Sequence, residues 1–266
     1  MVDVGEYGQM SMDGFVKNVL DTAKTVIRKD WDMVFIVDGS EGCGKSVFTM
    51  QCARYCDPTF CLERVVFTPK EFRQAIINAQ PYQAVVYDEA YTGLSSRATM
   101  SLINRTLISM LAEIRQKNLF VFVVMPCFFD LDKYVALWRS RGLFHAYVGK
   151  NFERGFVAFY NSDKKKFLYI NGKKFYSYGK PIANFIGRFT NKYVVDDKKY
   201  KEKKKDSLIA REKGRDEKQV KAEFQDLLFE RLQAEDIKLK NTEKIKILNI
   251  SERSYYRKLK KYQDGD

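Results

Sequence analysis

Residues 33–46 read Met-Val-Phe-Ile-Val-Asp-Gly-Ser-Glu-Gly-Cys-Gly-Lys-Ser, an apolar run that ends at an aspartate and three closely spaced glycines. An apolar run of strand length without polar alternation suits a strand buried on both faces, as in the middle of a parallel sheet. Glycine at 39, 42 and 44 permits backbone conformations and close approaches that other residues resist, so the loop can turn several N–H groups onto one anion. The stretch from Lys45 to about Tyr55 then reads as a helix, whose N-terminus points partial positive charge at the same place. These features predict a phosphate-binding loop made of Gly39, Ser40, Glu41, Gly42, Cys43, Gly44, Lys45 and Ser46. In it Lys45 is expected to reach the β and γ oxygens of ATP, and the Ser46 hydroxyl to ligate Mg²⁺.

The flanking sequence carries the same alternation. Residues 11–29 place Phe15, Val19, Leu20, Ala23 and Val26 at helical spacing. Strands are expected over Arg64–Phe67, Ala84–Tyr87, Leu119–Val124 and Phe144–Val148. Thr68-Pro69-Lys70-Glu71 is a helix start, with a Thr cap, Pro at the first helical position and Glu placed to close a capping box. A further helix is expected over Thr99–Gln116, with Leu102, Leu107, Leu111 and Ile114 inward. Strand–helix alternation of this kind predicts an α/β fold with a mostly parallel sheet and helices on both faces. Beyond it, Phe152–Tyr160 and Lys166–Ile170 read as antiparallel strands, and Asn171-Gly172 as a two-residue hairpin turn. A β-meander is therefore expected to extend one edge of the sheet.

Asp88-Glu89 follows an apolar strand downstream of the loop. In a parallel sheet the carboxyl ends of neighbouring strands line one crevice, so this acidic pair can meet the loop at one phosphate. Asp88 is expected to hold the magnesium through water, and Glu89 to polarise the attacking water as general base.

Gly39–Ser46, Asp88-Glu89-Ala90, Arg115-Gln116-Lys117-Asn118-Leu119, Pro126, Leu131-Asp132 and Arg139–Arg141 together resemble the RecA-like motor ATPases, and within them the FtsK–HerA superfamily. That group includes viral packaging ATPases and zonula-occludens-toxin-like proteins. The resemblance spans about residues 31–150. It implies a RecA-like P-loop sheet, a homo-oligomeric ring (pentamer or hexamer), and an arginine that enters the neighbouring subunit's site. Arg139 and Arg141 are the nearest candidates by position, with Arg97, Arg154 and Arg188 as others. Where the family commonly places glutamine at the end of the fourth strand, this chain has Met125-Pro126-Cys127.

A net charge of +13 over 266 residues points to a polyanionic partner. The start of the chain lacks a basic region followed by an apolar one, and the longest apolar run, Leu119–Pro126, is too short to cross a bilayer. These features favour nucleic acid over a membrane surface, and a cytoplasmic protein. Of the five cysteines, Cys52, Cys56 and Cys61 lack the paired spacing of a zinc site.

From Lys198 the chain becomes a lysine run with little to bury, read as a linker or solvated helix start. Val220, Phe224, Leu227, Leu228 and Leu232 then form a helical apolar stripe. Asn241–Leu248 suits a short helix, Asn249-Ile250 a tight turn, and Ser251–Lys260 a second helix capped by Ser251. The cadence resembles the helix-turn-helix of many bacterial and archaeal DNA-binding proteins. That likeness implies Arg253, Ser254, Arg257 and Lys260 facing DNA, with Ile247, Ile250, Tyr255 and Leu259 mainly core.

The expected organisation is a P-loop ATPase domain over 1–197 with its β-meander, a basic linker over 198–216, and a small all-α DNA-binding module over 217–266. The expected function is Mg-dependent ATP hydrolysis that translocates or remodels double-stranded DNA, as in genome packaging by a virus or mobile element. Two alternatives remain at this point: an ATP-dependent helper such as a helicase loader or transposition partner, with a viral or replication protein as its mate, and a nucleotide-sensing DNA-binding regulator.

Overall fold

The computed structural model describes residues 1–88, 108–110, 114–233 and 239–264. By contacts it divides into Met1–Ser207 and Leu208–Asp266.

In the first unit, helix α1 (Gly14–Ile27) opens behind an Asp13 cap whose carboxylate accepts from Phe15 N and Val16 N. The apolar run at 33 becomes strand β1 (Met33–Asp38), buried throughout. It is followed by α2 (Lys45–Cys56), β2 (Val65–Val66), α3 (Pro69–Asn78), β3 (Ala84–Asp88), β4 (Phe120–Val124), β5 (Gly142–Tyr147), β6 (Phe156–Tyr160), α4 (Ser162–Gly172) and β7 (Phe185–Arg188). The sheet has seven strands in the order β2-β3-β4-β1-β5-β6-β7. The pairings from β2 through β5 are parallel, and β6 and β7 add on antiparallel. The chain is thus an α/β protein with a mostly parallel sheet, as its strand–helix alternation predicts.

Alternating residues send their side chains to opposite faces. Phe35, Val37, Ala84, Val86, Phe120 and Phe122 pack with α1 and α2 on one face. Val34, Ile36, Val85, Tyr87, Val121 and Val123 pack with α3, α4 and the turns after β4 on the other. The capping box of α3 forms as expected. Glu71 N donates to Thr68 Oγ1 at 3.2 Å, while Glu71 Oε2 accepts from Thr68 N at 3.0 Å and Phe67 N at 2.9 Å. Thr68→Ala is expected to cost about 1 kcal/mol in urea unfolding; an unchanged midpoint would remove the cap from the stability of this unit.

The edges of the sheet are short or covered. Strand β2 has two residues, and beyond β7 an isolated antiparallel bridge joins Met12 to Phe189.

The expected hairpin does not form. Lys166–Ile170 is not a strand and Asn171-Gly172 is not a hairpin turn, because both lie in α4. Asn161 caps that helix by accepting from Lys164 N at 3.0 Å. The residues it buries, Lys165, Leu168, Tyr169 and Gly172, recur at helical intervals rather than every second position. Gly172 sits where an added Cβ would lie 2.4 Å from Ser177 O, so it is kept for close packing. The antiparallel extension exists, but Phe185–Arg188 supplies its last strand, and a helix interrupts the meander.

Residues 198–216, read as a basic linker, lie inside helix α5 (Asp197–Gln233). Its first turns are not merely solvated, since Tyr200 is buried in the sheet unit. Lys203 Nζ donates to Leu62 O at 3.2 Å and Val65 O at 2.6 Å.

The second unit contains the rest of α5 with α6 (Asn241–Leu248) and α7 (Glu252–Asp264). Its core is Phe229, Leu232, Leu248 and Tyr255, flanked by Leu228, Ile245, Ile250 and Leu259. Asn249 closes α6 with a left-handed φ of 50°, which asparagine tolerates better than most residues. Ser251 Oγ accepts from Ser254 N at 3.2 Å, the expected cap. Ile247, expected inside, is 49% exposed, and Leu248 takes its place. The side chains of Val220, Phe224 and Leu227 lie outside those described.

Among the described residues no helix is long and apolar enough to cross a membrane.

Candidate functional site

Strand β1 ends in Asp38, and the backbone then turns through Gly39 (φ 138°), Gly42 (φ 75°) and Gly44 (φ 95°) before α2 begins at Lys45. At Gly39 the requirement for glycine is absolute in packing terms, because an added Cβ would lie 1.9 Å from Ala146 O. The loop therefore runs hard against the end of β5. Cys43 is fully buried beneath it, and burial pushes its thiol up against the pull of Lys45.

The loop is anchored from below by Asp38, which is completely buried. Its Oδ2 accepts from Phe128 N at 2.9 Å and from the Tyr178 hydroxyl, and its Oδ1 lies 2.9 Å from His145 Nδ1. His145 in turn stacks on Tyr178 with ring centroids 3.8 Å apart. This cluster ties the root of the loop to β5 and to the turn after β4. Sequence reading gave it no role; Asp38 at the end of an apolar strand was the one signal available.

Lys45 Nζ donates to Gly39 O at 2.6 Å and Ser40 O at 2.7 Å, so its ammonium folds back over the loop's own carbonyls. Those two oxygens stand where anionic oxygens would be the stronger acceptors. Burial pulls the Lys45 ammonium below its ordinary range, and the charges of Cys43, Asp38 and Asp88 work against that.

Strand β4 separates β1 from β3. Val37 and Asp88 both pair with Val124, so they stand level, two inter-strand spacings or about 10 Å apart. Asp88 shares the parity of Ala84 and Val86 and thus faces the side of the sheet on which α2 packs. The loop, the start of α2 and Asp88 are therefore on one face at one edge. The link between them is Tyr200 of α5. Its hydroxyl donates to Asp88 Oδ2 at 2.6 Å, and Ser46 acts on the same phenol, opposing the rise in its pKa. Burial first, then the Asp88 charge, pushes the Tyr200 hydroxyl up, so it stays a donor at neutral pH. Lys204 Nζ lies 3.5 Å from the same Asp88 oxygen. Neither Tyr200 nor Lys204 was singled out from the sequence.

The segment that delivers α5 here is held by α2. Gln51 Nε2 donates to Thr190 O at 2.9 Å and to Lys192 O at 2.8 Å.

Other expected site residues lie elsewhere. Arg139 and Arg141 sit beside Asp32 at the amino end of β1, the edge of the sheet opposite the loop. Arg139 Nη2 is 2.5 Å from Asp32 Oδ2, and Arg141 lies over the Trp31 ring at 4.6 Å. Within one chain neither converges on the loop. Arg154 is near it, with Nη2 3.9 Å from a Cβ placed on Gly42. Glu89, Arg97 and most of the helix expected over Thr99–Gln116 lie outside the described residues. In the second unit Arg253, Arg257 and Lys260 are exposed on α7, at intervals that share one helix face, while Ser254 is half-buried and bonded to Ser251.

Among the described residues no group of three or more His, Cys, Asp or Glu could hold a metal alone. A magnesium ion does not need one, since it is commonly held by one or two protein oxygens together with substrate phosphates and water. Ser46 and Asp88, both hard oxygen donors beside Tyr200, fit that pattern.

No protein-family model matches the chain, and no curated protein matches it in sequence.

Proposed function

We propose that the chain is a magnesium-dependent ATP hydrolase of the RecA-like P-loop type that acts on double-stranded DNA. The observation that carries this reading is the convergence of Lys45, Ser46 and Asp88 on one face at the carboxyl edge of the sheet. The single strand inserted between β1 and β3 is consistent with the RecA-like form of that arrangement.

In this reading the loop N–H groups and Lys45 hold the triphosphate, and Lys45 exchanges its two carbonyl acceptors for phosphate oxygens. Ser46 and Asp88 would hold the magnesium, which when bound would supply positive charge to the phosphate oxygens. Glu89, adjacent in sequence to Asp88, orients the attacking water. Arg139 is committed to Asp32 as a structural tie, which leaves Arg141, with one-third of its side chain exposed, as the better placed of the two to enter a neighbour's site in a ring of like subunits. The basic face of Arg253, Arg257 and Lys260, on the second helix of a helix-turn-helix-like pair, supports contact with duplex DNA. Genome packaging or transfer in a virus or mobile element is the process this combination suits.

Purified protein is expected to hydrolyse ATP with magnesium, faster when duplex DNA is added, and to displace a protein roadblock from that DNA. Slow turnover that ignores DNA would favour a nucleotide-sensing regulator instead. Absence of any turnover or nucleotide binding would remove the ATPase reading itself.

A further inference from the structure

Resting on the nucleotide-site reading above, we infer that Tyr200 and Lys204 form a built-in latch that holds the magnesium position closed until a magnesium–nucleotide complex displaces it. Asp88, one of the two residues assigned to the metal, is engaged by this one turn of helix. Asp88 Oδ2 accepts from the Tyr200 hydroxyl at 2.6 Å and faces the Lys204 ammonium at 3.5 Å. Ser46, the other, lies beside the same phenol. Lys204 also donates to the Tyr200 oxygen at 3.3 Å, so phenol, ammonium and carboxylate form one closed cluster.

The charges explain why such a cluster forms. Asp88 is 2% exposed, and a carboxylate buried to that degree needs a cation or several donors. Lys204 supplies the charge and Tyr200 the short hydrogen bond. A magnesium ion would make the same demands on the same oxygen. The cluster is nevertheless unfavourable in one respect, because Lys204 and Lys45 lie near enough for each to oppose the other's charge. A triphosphate relieves that repulsion, and a metal relieves Asp88, so the pair of ligands arriving together removes both reasons for the latch to stay shut.

Tyr200 also packs against Phe67 and Tyr193, with ring centroids 6.0 Å and 5.9 Å away. Tyr200→Phe keeps that packing and deletes only the hydroxyl. A purely structural tyrosine, or one that steadies Asp88 in the metal-bound state, predicts unchanged or weaker magnesium–nucleotide binding in the variant. A latch predicts tighter binding, because a competing hydrogen bond to a charged group has been removed.

The test is a titration of full-length wild type and Tyr200→Phe with a fluorescent ADP analogue, in magnesium and in EDTA. The expected result is an affinity about tenfold higher for the variant in magnesium, with little change in EDTA. Equal or weaker binding by the variant in magnesium overturns the latch while leaving the nucleotide site intact. No binding by wild type in either condition overturns both. Hydrogen exchange on the wild type gives a second measurement that does not depend on the variant folding. Amides of residues 197–207 are expected to exchange faster with magnesium–nucleotide than with EDTA, and unchanged or slower exchange overturns the latch.

Discussion

Lys45→Ala is expected to reduce ATP turnover by on the order of 100- to 1000-fold, the usual cost of deleting one preorganised donor from a phosphoryl- or acyl-transfer site, while leaving the thermal unfolding midpoint nearly unchanged. The two halves of this expectation come from one geometry. Lys45 makes its hydrogen bonds to Gly39 O and Ser40 O, backbone oxygens of a loop that water can reach once the side chain is gone. Burial already disfavours the charged form of this lysine, so its removal relieves as well as deletes. In the proposed reading an anion in the loop reverses that balance, and the ammonium would act where charge develops. Steady-state turnover and differential scanning calorimetry on the same preparation check both halves. A variant that hydrolyses ATP at the wild-type rate would dissolve the assignment of the loop.

Asp57→Ala is expected to have the largest effect on stability, about 3–5 kcal/mol, or a fall in Tm of roughly 6–20 °C for a unit of this size. Asp57 follows α2 directly and is nearly inaccessible. Its Oδ2 accepts from Arg64 Nη1 at 2.6 Å and from Ala84 N at 2.9 Å, and its Oδ1 from Thr59 N at 2.8 Å and Thr59 Oγ1 at 2.7 Å. One carboxylate thus joins the end of α2, the turn before β2 and the first residue of the strand that carries Asp88. Without it the Arg64 guanidinium, its side chain 11% exposed, keeps its charge and its bonds to Thr59 but loses its counter-ion. Asp57→Asn retains acceptor geometry and is expected to fall between wild type and alanine. Urea melts followed by circular dichroism distinguish the three. A loss below about 1 kcal/mol for the alanine variant would mean that the pair behaves as a surface ion pair and does not tie these elements together.

The parts of the fold that were legible in the sequence are those determined within a few residues. The run from Met33 to Val37 has no polar residue, so it could only be a strand covered on both sides. Gly39, Gly42 and Gly44 declare their backbone needs directly, and Thr68-Pro69-Lys70-Glu71 contains its entire capping box. The misreading of Lys166–Ile170 arose where two local signals competed. Asn171-Gly172 favours a hairpin in isolation, but Leu168, Tyr169 and Gly172 bury at helical spacing against the turn at Phe129 and Leu131, and tertiary packing overrode the dipeptide. Tyr200 was hidden for a different reason. Its partner Asp88 is 112 positions away, and charge runs are usually solvated. A single aromatic inside Lys198–Lys205, shortly after Val194 and Val195, was the available hint that this stretch turns one side inward. The arginine candidates show the converse limit, since order along the chain placed Arg139 and Arg141 just before β5 without indicating that they pair with Asp32 at the amino end of β1.

The way the sheet is finished at its two margins constrains how copies of the chain can join. Strand β2 offers only Val65 and Val66, and on the far side Met12 bridges to Phe189 while Asp13 accepts from Arg188 N at 3.4 Å. Among the described residues, neither margin presents a long row of open amides and carbonyls for another copy to zip onto. If copies of the chain do join, the contact must rely on side-chain complementarity between surfaces, a kind of junction that can loosen and re-form without unravelling any subunit.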